Sequence, residues 1–187
     1  ASCLVGSEMC IRDRMDICHY LQSAGYFLME LMTICYSNAN LPRISPIQKR
    51  IIDSVNCEEM NRKDRDLAFK HINDGMFNTD RISIDTNFTQ EQANKRYIGW
   101  ISDDLNLQAK IYKIVSKGEA IGFFTLKHQG GGSYITTLGG LYPGFVKHGL
   151  GISILYHTIN EAINQNANKL ITAFSSNNRG AAALHFS

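Results

Sequence analysis

Residues 134–162 read YITTLGGLYPGFVKHGLGISILYHTINEA, and the fold prediction starts from this stretch. Its pattern predicts a strand over Tyr134–Tyr142, a loop over Pro143–His148 and a helix that opens at Gly149. The helix prediction rests on residues that recur every three or four positions and so share one face: Ile152, Leu155, Tyr156, Ile159, Ala162 and Ile163. A glycine-containing loop before a helix N-terminus gathers unpaired N–H groups, which bind anions. The stretch therefore predicts a phosphate or pyrophosphate site, the alternative being an ordinary glycine loop before a core helix.

Two common phosphate-binding motifs do not fit this loop. A dinucleotide fingerprint requires a third glycine, but Ile154 stands where that glycine should follow Gly149–Gly151. The fingerprint also requires an acid after the next strand, and the predicted strand Lys169–Phe174 runs into SSNN at residues 175–178. The Gly-Lys-Ser/Thr end of a P-loop is absent as well.

Residues 146–151, VKHGLG, resemble the acetyl-CoA loop of the GCN5-related N-acetyltransferases, Arg/Gln-x-x-Gly-x-Gly/Ala. Val146 departs from the Arg or Gln of that loop, but backbone N–H groups hold most of the pyrophosphate in the family. The resemblance implies that acetyl-CoA is the co-substrate, that no metal is needed, and that nine residues line its site: Leu141, Tyr142, Val146, Lys147, His148, Gly149, Leu150, Gly151 and Ile152.

The end of the chain reads SSNNRGAAALHFS after that second strand. Asn177 or Asn178 can cap a helix that starts near Arg179. The segment resembles Asn-x-x-Ala-x-x-x-Tyr of the same family. The resemblance implies that Asn178 contacts the pantetheine arm of CoA and that His185, in the Tyr position, protonates the departing thiolate. Because the family continues into Leu-Gly-Phe, we expect a chain that is truncated at its C-terminus.

The order of strand, glycine loop, helix, strand and Asn-capped helix resembles the acetyltransferase fold. That resemblance implies an α+β structure with a mixed sheet, in which an amine attacks acetyl-CoA directly. The glycine pair at 139–140 suggests a β-bulge. In the family such a bulge splays its strand from the neighbour, and the thioester lies in the gap. The backbone N–H of Leu141 or Tyr142 is then the candidate donor to the thioester carbonyl.

Two proton transfers remain for side chains. His185 is the candidate acid, because imidazole transfers protons readily near neutral pH. Tyr142 or Tyr156 is the alternative acid. Residues 134–142, where the family often keeps a base, carry no carboxylate. His128 or a water chain therefore stays open as the base.

Residues 77–100 resemble the acceptor side of sugar-nucleotide amino acetyltransferases such as the fucosamine enzyme. The resemblance implies a small-molecule acceptor, a primary amine on a nucleotide-linked amino sugar. Arg81, Lys95 and Arg96 would supply the positive charge that a sugar nucleotide needs. For the charged residues of this run, the alternative is that they are exposed loop charges with no role in binding. For Trp100, the alternative is that it is a core residue. A non-catalytic acyl-CoA-binding module of the same fold is the second functional hypothesis.

The sequence divides into three parts. Residues 1–14 contain LVGSEMCIRD, which resembles a translated sequencing adapter, so we exclude them from the fold prediction. Residues 15–50 resemble the remnant of a smaller N-terminal subdomain plus a linker, the alternative being the first hairpin of a single domain. The resemblance implies that residues 51–187 are the acetyltransferase domain, incomplete at its C-terminus. Four elements are predicted up to the start of that domain: a helix over Asp16–Ala24, a strand over Tyr26–Tyr36, a linker over Ser37–Ser45 and a strand over Arg50–Cys57.

Three local signals place the next elements. Asn61 caps a predicted helix that Gly75 ends. Thr89 and Gln92 form a capping-box pattern at the start of another helix. A hairpin with its turn at residues 117–119 then leads towards the central stretch.

Composition limits the class of protein. The chain has 187 residues, 44% hydrophobic and 19% charged, which suits one globular domain with an appendage. Its net charge of +2 argues against a dedicated nucleic-acid binder. The five cysteines form no C-x-x-C or Cys/His cluster, so we expect reduced thiols in the cytoplasm. No apolar run reaches membrane-spanning length, so we expect no membrane contact, while a homodimer stays open.

Overall fold

A computed structural model of the chain describes residues 15–146 and 148–186. The helices are α1 Met15–Ser23, α2 Pro46–Asp53, α3 Arg62–Asn73, α4 Arg81–Ile84, α5 Gln90–Asn106, α6 Gly151–Asn164 and α7 Arg179–His185. The strands are β1 Met32–Ser37, β2 Val55–Glu59, β3 Lys110–Ser116, β4 Glu119–Gly130, β5 Ser133–Ile135, β6 Gly139–Leu141 and β7 Lys169–Ser175. A short 3-10 turn covers Pro143–Phe145. The adapter-like residues 1–14 and the predicted loop residue Lys147 lie outside the described residues.

The described strands form one mixed sheet in the order β1-β7-β5-β4-β3-β2, with β6 also paired to β4. Every pairing is antiparallel except that of β5 with β7, which is parallel. The connection between the parallel strands β5 and β7 contains α6, because two parallel strands need a crossover, which is usually a helix. The predicted α+β fold with a mixed sheet is confirmed.

Neighbouring residues of β4 point to opposite faces of this sheet and enter different cores. Phe124 belongs to the α6 core, whose buried residues are Val55, Tyr112, Ile114, Ile121, Phe124, Leu126, Ile159, Ala162 and Leu170. Phe123 belongs to the α3/α5 core, formed by Ala68, Ile72, Ala93, Tyr97, Ile101, Ile111, Phe123 and Tyr142. We name the two faces of the sheet the α6 face and the α3/α5 face, after the helices that cover them. A ligand that lies between two strands borders both faces.

The helix starts that were predicted from capping patterns are confirmed. Asn61 Oδ1 accepts from the N–H of Asp64, and Asp64 accepts in return from the N–H of Asn61. Thr89 and Gln92 make the same reciprocal pair before α5. These hydrogen bonds satisfy N–H groups that the first turn of a helix leaves unpaired.

Two predictions before residue 60 are wrong in their bounds. The first half of the strand predicted over Arg50–Cys57 belongs to helix α2, because Ser45 makes a capping box with Gln48 and Pro46 occupies the first turn, and the strand β2 begins only at Val55. The strand predicted over Tyr26–Tyr36 begins only at Met32. Met32 pairs with Ser175, the last residue of β7, so the residues before it have no neighbouring strand.

The predicted subdomain remnant contributes β1 to the edge of the main sheet. This strand carries no charged residue, and the side chains of Met32, Ile34 and Tyr36 are exposed. The division of the chain near residue 50 stays a prediction. None of the helices in the described part of the chain is both long and apolar enough to cross a membrane.

Candidate active site

The predicted central strand Tyr134–Tyr142 is interrupted, and a gap opens in the sheet at the interruption. β5 runs beside β7, and the N–H of Thr136 makes the last contact between the two by donating to Ile171 O at 3.1 Å. Beyond that point β6 pairs with β4 alone, while β7 continues alongside β1. We call the gap between β6 and residues 172–175 of β7 the cleft.

The bulge that opens the cleft lies just before the predicted position. The N–H groups of Thr137 and Leu138 both donate to Thr125 Oγ1 at 3.1 Å, so two consecutive residues point to the same side. Gly139 and Gly140 follow in regular register with β4, so the bulge predicted there is wrong. The glycines are needed for another reason. A Cβ on Gly139 would lie 2.9 Å from Phe124 Cβ, which shows how closely β6 approaches β4.

Two backbone N–H groups of β6 face the cleft. The N–H of Tyr142 donates to Ile121 O of β4 at 2.8 Å, which removes it as a donor to a ligand. Because N–H groups alternate along a strand, those of Leu141 and Gly139 point away from β4. Leu141 is thus the candidate donor of the predicted pair. Gly139 was not among the donors predicted from the sequence, although residues two apart in a strand point their N–H groups to the same side, as Gly139 and Leu141 do.

Helix α6 starts at the wide end of the cleft, and its N-terminus is open. The helix begins at Gly151 rather than at the predicted Gly149, whose φ of +70° belongs to the left-handed region. No described side chain caps α6, and Ser153 Oγ donates to Leu150 O instead of accepting from an N–H. Side chains cap five other helices: Ser45, Asn61, Asp80, Thr89 and Asn178.

Helix α7 packs against this N-terminus with its C-terminal end, and Asn178 lies at the other end of α7. A Cβ on Gly151 would lie 2.9 Å from Leu184 Cδ1, so this glycine allows the two helices to touch. Asn178 caps α7 as predicted, since its Oδ1 accepts from the N–H of Ala181 at 2.9 Å. Its side-chain NH₂ donates to none of the described residues, which leaves it for a ligand.

His185 lies over β7 on the α6 face and is already hydrogen-bonded. Its Nδ1 lies 2.8 Å from Ala181 O, and because a carbonyl only accepts, Nδ1 carries a hydrogen. Its Nε2 lies 2.9 Å from Thr172 Oγ1. Thr172 is two residues from Leu170 of the α6 core, so the two share a face. Thr172 also follows Ile171, where β5 and β7 part, and so places His185 at the closed end of the cleft.

His185 also borders a cavity on the outer side of β7. This cavity of about 220 Å³ lies between α6, α7, β1 and the segment that leads to α2. Its lining is mainly apolar, with Ile152, Leu155 and Leu184 from the two helices. The cavity lies over the α6 face of β7, which contributes Leu170 and Thr172 to its lining.

Tyr142, the alternative acid, lies on the opposite face of the sheet. Its side chain is fully buried in the α3/α5 core, and its ring stacks on His71 with the centroids 3.9 Å apart. Its hydroxyl has no partner within the described structure. Burial, and then the charge of Asp64, raise the pKa of this phenol above its usual 10. The structure therefore does not bring Tyr142 and His185 together.

His128, one of the candidate bases, lies outside the cleft. It pairs with Tyr134 of β5, on the closed side of the point at which β5 and β7 part. Its ring contacts that of Tyr134, with the centroids 5.0 Å apart. His128 would have to act from a distance.

The charges of the predicted acceptor side are largely paired. Asp80 caps α4 and accepts from Tyr97 OH at 2.6 Å, and Arg81 Nη1 lies 3.0 Å from Glu30 Oε1. Burial, followed by the bond to Asp80, raises the pKa of the Tyr97 phenol. On α5, Arg96 lies 5.3 Å from the centre of the Trp100 ring. A shallow depression on this helix is lined by Lys95, Arg96, Gly99, Trp100 and Asp103.

The sequence interpretation also missed a buried carboxylate next to the bulge. Asp104 of α5 is 6% exposed and accepts from Lys127 Nζ at 2.8 Å. Its other oxygen accepts from the hydroxyl of Thr137. A signal was available, because Tyr97, Ile101 and Asp104 continue one apolar helical face, on which an acid is unexpected. Among the described residues, no group of three or more His, Cys, Asp or Glu could hold a metal ion.

No family model matches the sequence, and neither does any curated protein. Three solved structures resemble the fold. A functionally unknown conserved protein from Staphylococcus epidermidis has a TM-score of 0.58 at 11% identity, over 89% of this chain and 59% of its own. A GCN5-related N-acetyltransferase from Sphaerobacter thermophilus has a TM-score of 0.56 at 9% identity, over 88% and 49%.

The third structure is the ribosomal-protein-S18-alanine N-acetyltransferase from Escherichia coli, with a TM-score of 0.52 at 14% identity over 71% of this chain and 74% of that one. The present chain thus spans 59% and 49% of the first two proteins. Identities this low show a shared fold and nothing finer. On that basis the chain has the fold of the GCN5-related N-acetyltransferases.

Proposed function

We propose that the protein transfers the acetyl group of acetyl-CoA directly to a primary amine. One observation carries this proposal: β6 and β7 part beside an uncapped helix N-terminus, and backbone N–H groups line the gap. A sheet that loses its ladder in the middle leaves polar backbone groups without strand partners, so that water or a ligand must meet them. An acyl-pantetheine arm of strand-like length, with a pyrophosphate at its end, supplies both partners.

The pyrophosphate would bind at residues 146–152. The open start of α6 offers N–H groups and the positive end of the helix dipole. Val146 is 61% exposed and contributes no charge. The positive charge expected beside the pyrophosphate is therefore that of Lys147. The pantetheine arm would then follow β6, within reach of the Asn178 amide.

The chemistry needs a hydrogen-bond donor to the thioester and a proton for the thiolate. We assign the first role to the N–H of Leu141, with that of Gly139 beside it. The amine nitrogen forms a bond with the carbonyl carbon, the C–S bond breaks, and the thiolate takes a proton from His185. Because Nδ1 already carries a hydrogen, His185 must be the imidazolium for this step, with its second hydrogen on Nε2 between Thr172 Oγ1 and the sulfur, and it becomes neutral when the thiolate takes that proton.

The acceptor we propose is an amine on a nucleotide-linked sugar, a small molecule rather than a nucleic acid. Support comes from the resemblance of residues 77–100 and from the depression on α5. That depression combines Lys95 and Arg96 with the Trp100 ring, which suits a negatively charged nucleotide with a flat base. Lys95 is paired with exposed Glu91 at 2.7 Å, a weak surface contact that a phosphate can replace.

The test is an assay of free thiol with acetyl-CoA and a panel of amines. We expect thiol release only when an amine is present, and an N-acetylated product of matching amount. We expect no acetylated protein by mass spectrometry, because residues 58–187 contain no cysteine for a covalent route. Turnover confined to peptides or polyamines would overturn the sugar assignment. Tight CoA binding without turnover of any amine would overturn catalysis and favour the binding-module hypothesis.

A further inference from the structure

The closed end of the cleft carries a hydroxyl that is joined to a buried carboxylate. Thr137 is the first residue after Thr136, whose N–H makes the last contact with β7. Thr137 is exposed, and its hydroxyl donates to Asp104 of α5. Asp104 lies on the α3/α5 side of the sheet, so the hydroxyl lies on the face opposite α6.

Several contacts hold the Asp104 carboxylate in one orientation. Its Oδ1 accepts from Lys127 Nζ, and its Oδ2 accepts from Thr137. The carboxylate is buried and Lys127 is mostly so, with 21% of its side chain exposed. A buried carboxylate with two charge-assisted partners is fixed in place, which is what a proton acceptor at an active site requires.

The hydrogen-bond arrangement leaves the Thr137 oxygen one free lone pair. A hydroxyl has one hydrogen and two lone pairs. The Thr137 hydrogen goes to Asp104, so the hydrogen in the 2.8 Å contact with Thr125 Oγ1 is that of Thr125, which also points towards Leu138 O at 3.2 Å. Thr125 Oγ1 in turn accepts from the two bulge N–H groups. One lone pair of Thr137 is therefore available at an exposed position in the cleft.

The direction of attack places an incoming amine next to this lone pair. The α6 N-terminus lies on the α6 side of the sheet, so the nucleotide part of CoA would occupy that side and leave the other for the amine. Thr137 is two residues from the cleft-facing N–H of Gly139, which is at most about 7 Å along the chain, and the bulge between them shortens this span. An amine that attacks a carbonyl carbon held at Gly139 would lie between that carbon and the hydroxyl. His185 lies at the same end of the cleft on the α6 face, where the thiolate would leave.

We propose that Thr137 and Asp104 remove the proton from the attacking amine, an inference that rests on the proposed acetyl transfer. As the amine nitrogen bonds to the carbonyl carbon, one of its protons passes to Thr137 Oγ1. The Thr137 proton passes at the same time to Asp104, and the C–S bond breaks. The proton on Asp104 is later lost to solvent. Thr137 is the catalytic residue of this pair, and Asp104 is a positioning residue that acts through it.

The test compares Thr137→Val with Thr137→Ser, because valine keeps the shape and serine keeps the hydroxyl. We expect Thr137→Val to lower kcat about 100-fold, in the range of general base catalysis. Thr137→Ser should stay within about fivefold of the parent protein, and the KM for acetyl-CoA should change in neither variant. Thr33→Val on β1 is the matched control for a strand threonine on the other side of β7 from the cleft, and we expect it to be fully active.

The pH profile separates proton transfer from a merely structural role. Without the relay, hydroxide must take the proton, so kcat of Thr137→Val should rise about tenfold per pH unit between about pH 7 and 9. The parent protein should level off. Asp104→Asn should behave in the same way, if circular dichroism shows it folded. Variants that lose CoA affinity or stability but keep the parent pH profile would overturn the relay and leave acetyl transfer intact. A parent protein that transfers no acetyl group would overturn both.

Discussion

Helices α3 and α6 begin in opposite ways. The start of α3 is closed, since Asn61 and Asp64 satisfy each other's backbone N–H groups in a capping box. The start of α6 has no side-chain cap from the described residues, and glycines precede it. Both helices pack against the same sheet. A side-chain cap thus completes a helix whose end serves only the fold, whereas the unpaired N–H groups of an uncapped N-terminus are available to bind a ligand.

The largest effect should come from Gly149→Val, compared with Gly118→Val as its control. Both glycines have positive φ, +70° and +83°, and a Cβ on either meets no atom of the described residues within 4 Å. The backbone strain is therefore similar at the two sites. We expect Gly149→Val to weaken CoA binding about 100-fold, because the loop can no longer offer its N–H groups. Calorimetry should show unchanged CoA affinity for Gly118→Val, and an equal loss in both variants would contradict the comparison.

A smaller effect on stability should come from Asn61→Ala. Loss of an Asn cap costs about 1 kcal/mol of the free energy of unfolding. Urea denaturation should show that loss, while CoA affinity stays as in the parent protein. Val146→Ala, in the loop before α6, is a suitable control. Val146 is 61% exposed, so its truncation should leave the free energy of unfolding nearly unchanged. A drop in CoA affinity for Asn61→Ala would show that the two helix starts are not independent.

A charge beside the open end should affect binding alone. His148 is exposed in the loop before α6, so His148→Asp adds a negative charge near the expected pyrophosphate. We expect CoA affinity to fall about threefold, with His148→Asn as the neutral control of equal size. The effect should disappear at about 1 M salt, where surface charges are screened. A fall that persists at high salt would point to a contact of His148 itself.

Lowering the pH should destabilise the first turn of α3 at a higher pH than the first turn of α6. Burial of Asp64 opposes its ionisation, but the hydrogen bonds from Lys113 and from the Asn61 N–H outweigh burial and lower its pKa below 3.8. The ionised capping box therefore contributes stability above pH 3.8, and this contribution is lost as the pH falls through the folded pKa. The protection factors of the amides in the first turn of α3, which correct for the intrinsic pH dependence of exchange, should fall below pH 3.8, and Asp64→Asn should show no such step. A step of the same size at the first turn of α6 would contradict this assignment.

Local chemistry explains what the sequence could predict. The capping pairs at Asn61 and Thr89 are visible because their partners lie three residues away, and the apolar period of α6 is visible for the same reason. α2 was missed although its own capping box, Ser45 with Gln48, is equally local. There the two isoleucines at residues 51–52 favoured a strand, and the helix signals before them were not used.

Contacts distant in sequence explain what the sequence could not predict. The bulge lies at Thr137 because Thr125, twelve residues earlier, accepts from it. Gly139 is small because Phe124 lies against it, and the glycine by itself suggests only an irregularity. His185 was predicted from its place in a motif, but its bonds to Thr172 and Ala181 depend on how α7 lies over β7. The site residues remain predictions because each role depends on a ligand.

Amide hydrogen exchange with and without acetyl-CoA shows whether one ligand contacts both the α6 N-terminus and the cleft. We expect slower exchange at Gly139 and Leu141 in the cleft and at residues 149–152 of the open helix start. Tyr142, whose N–H is bonded to Ile121, and the first turn of α3 should not change. Protection of both regions together would support a ligand that runs from the α6 N-terminus into the cleft. Bound acetyl-CoA that protects neither region would contradict the account.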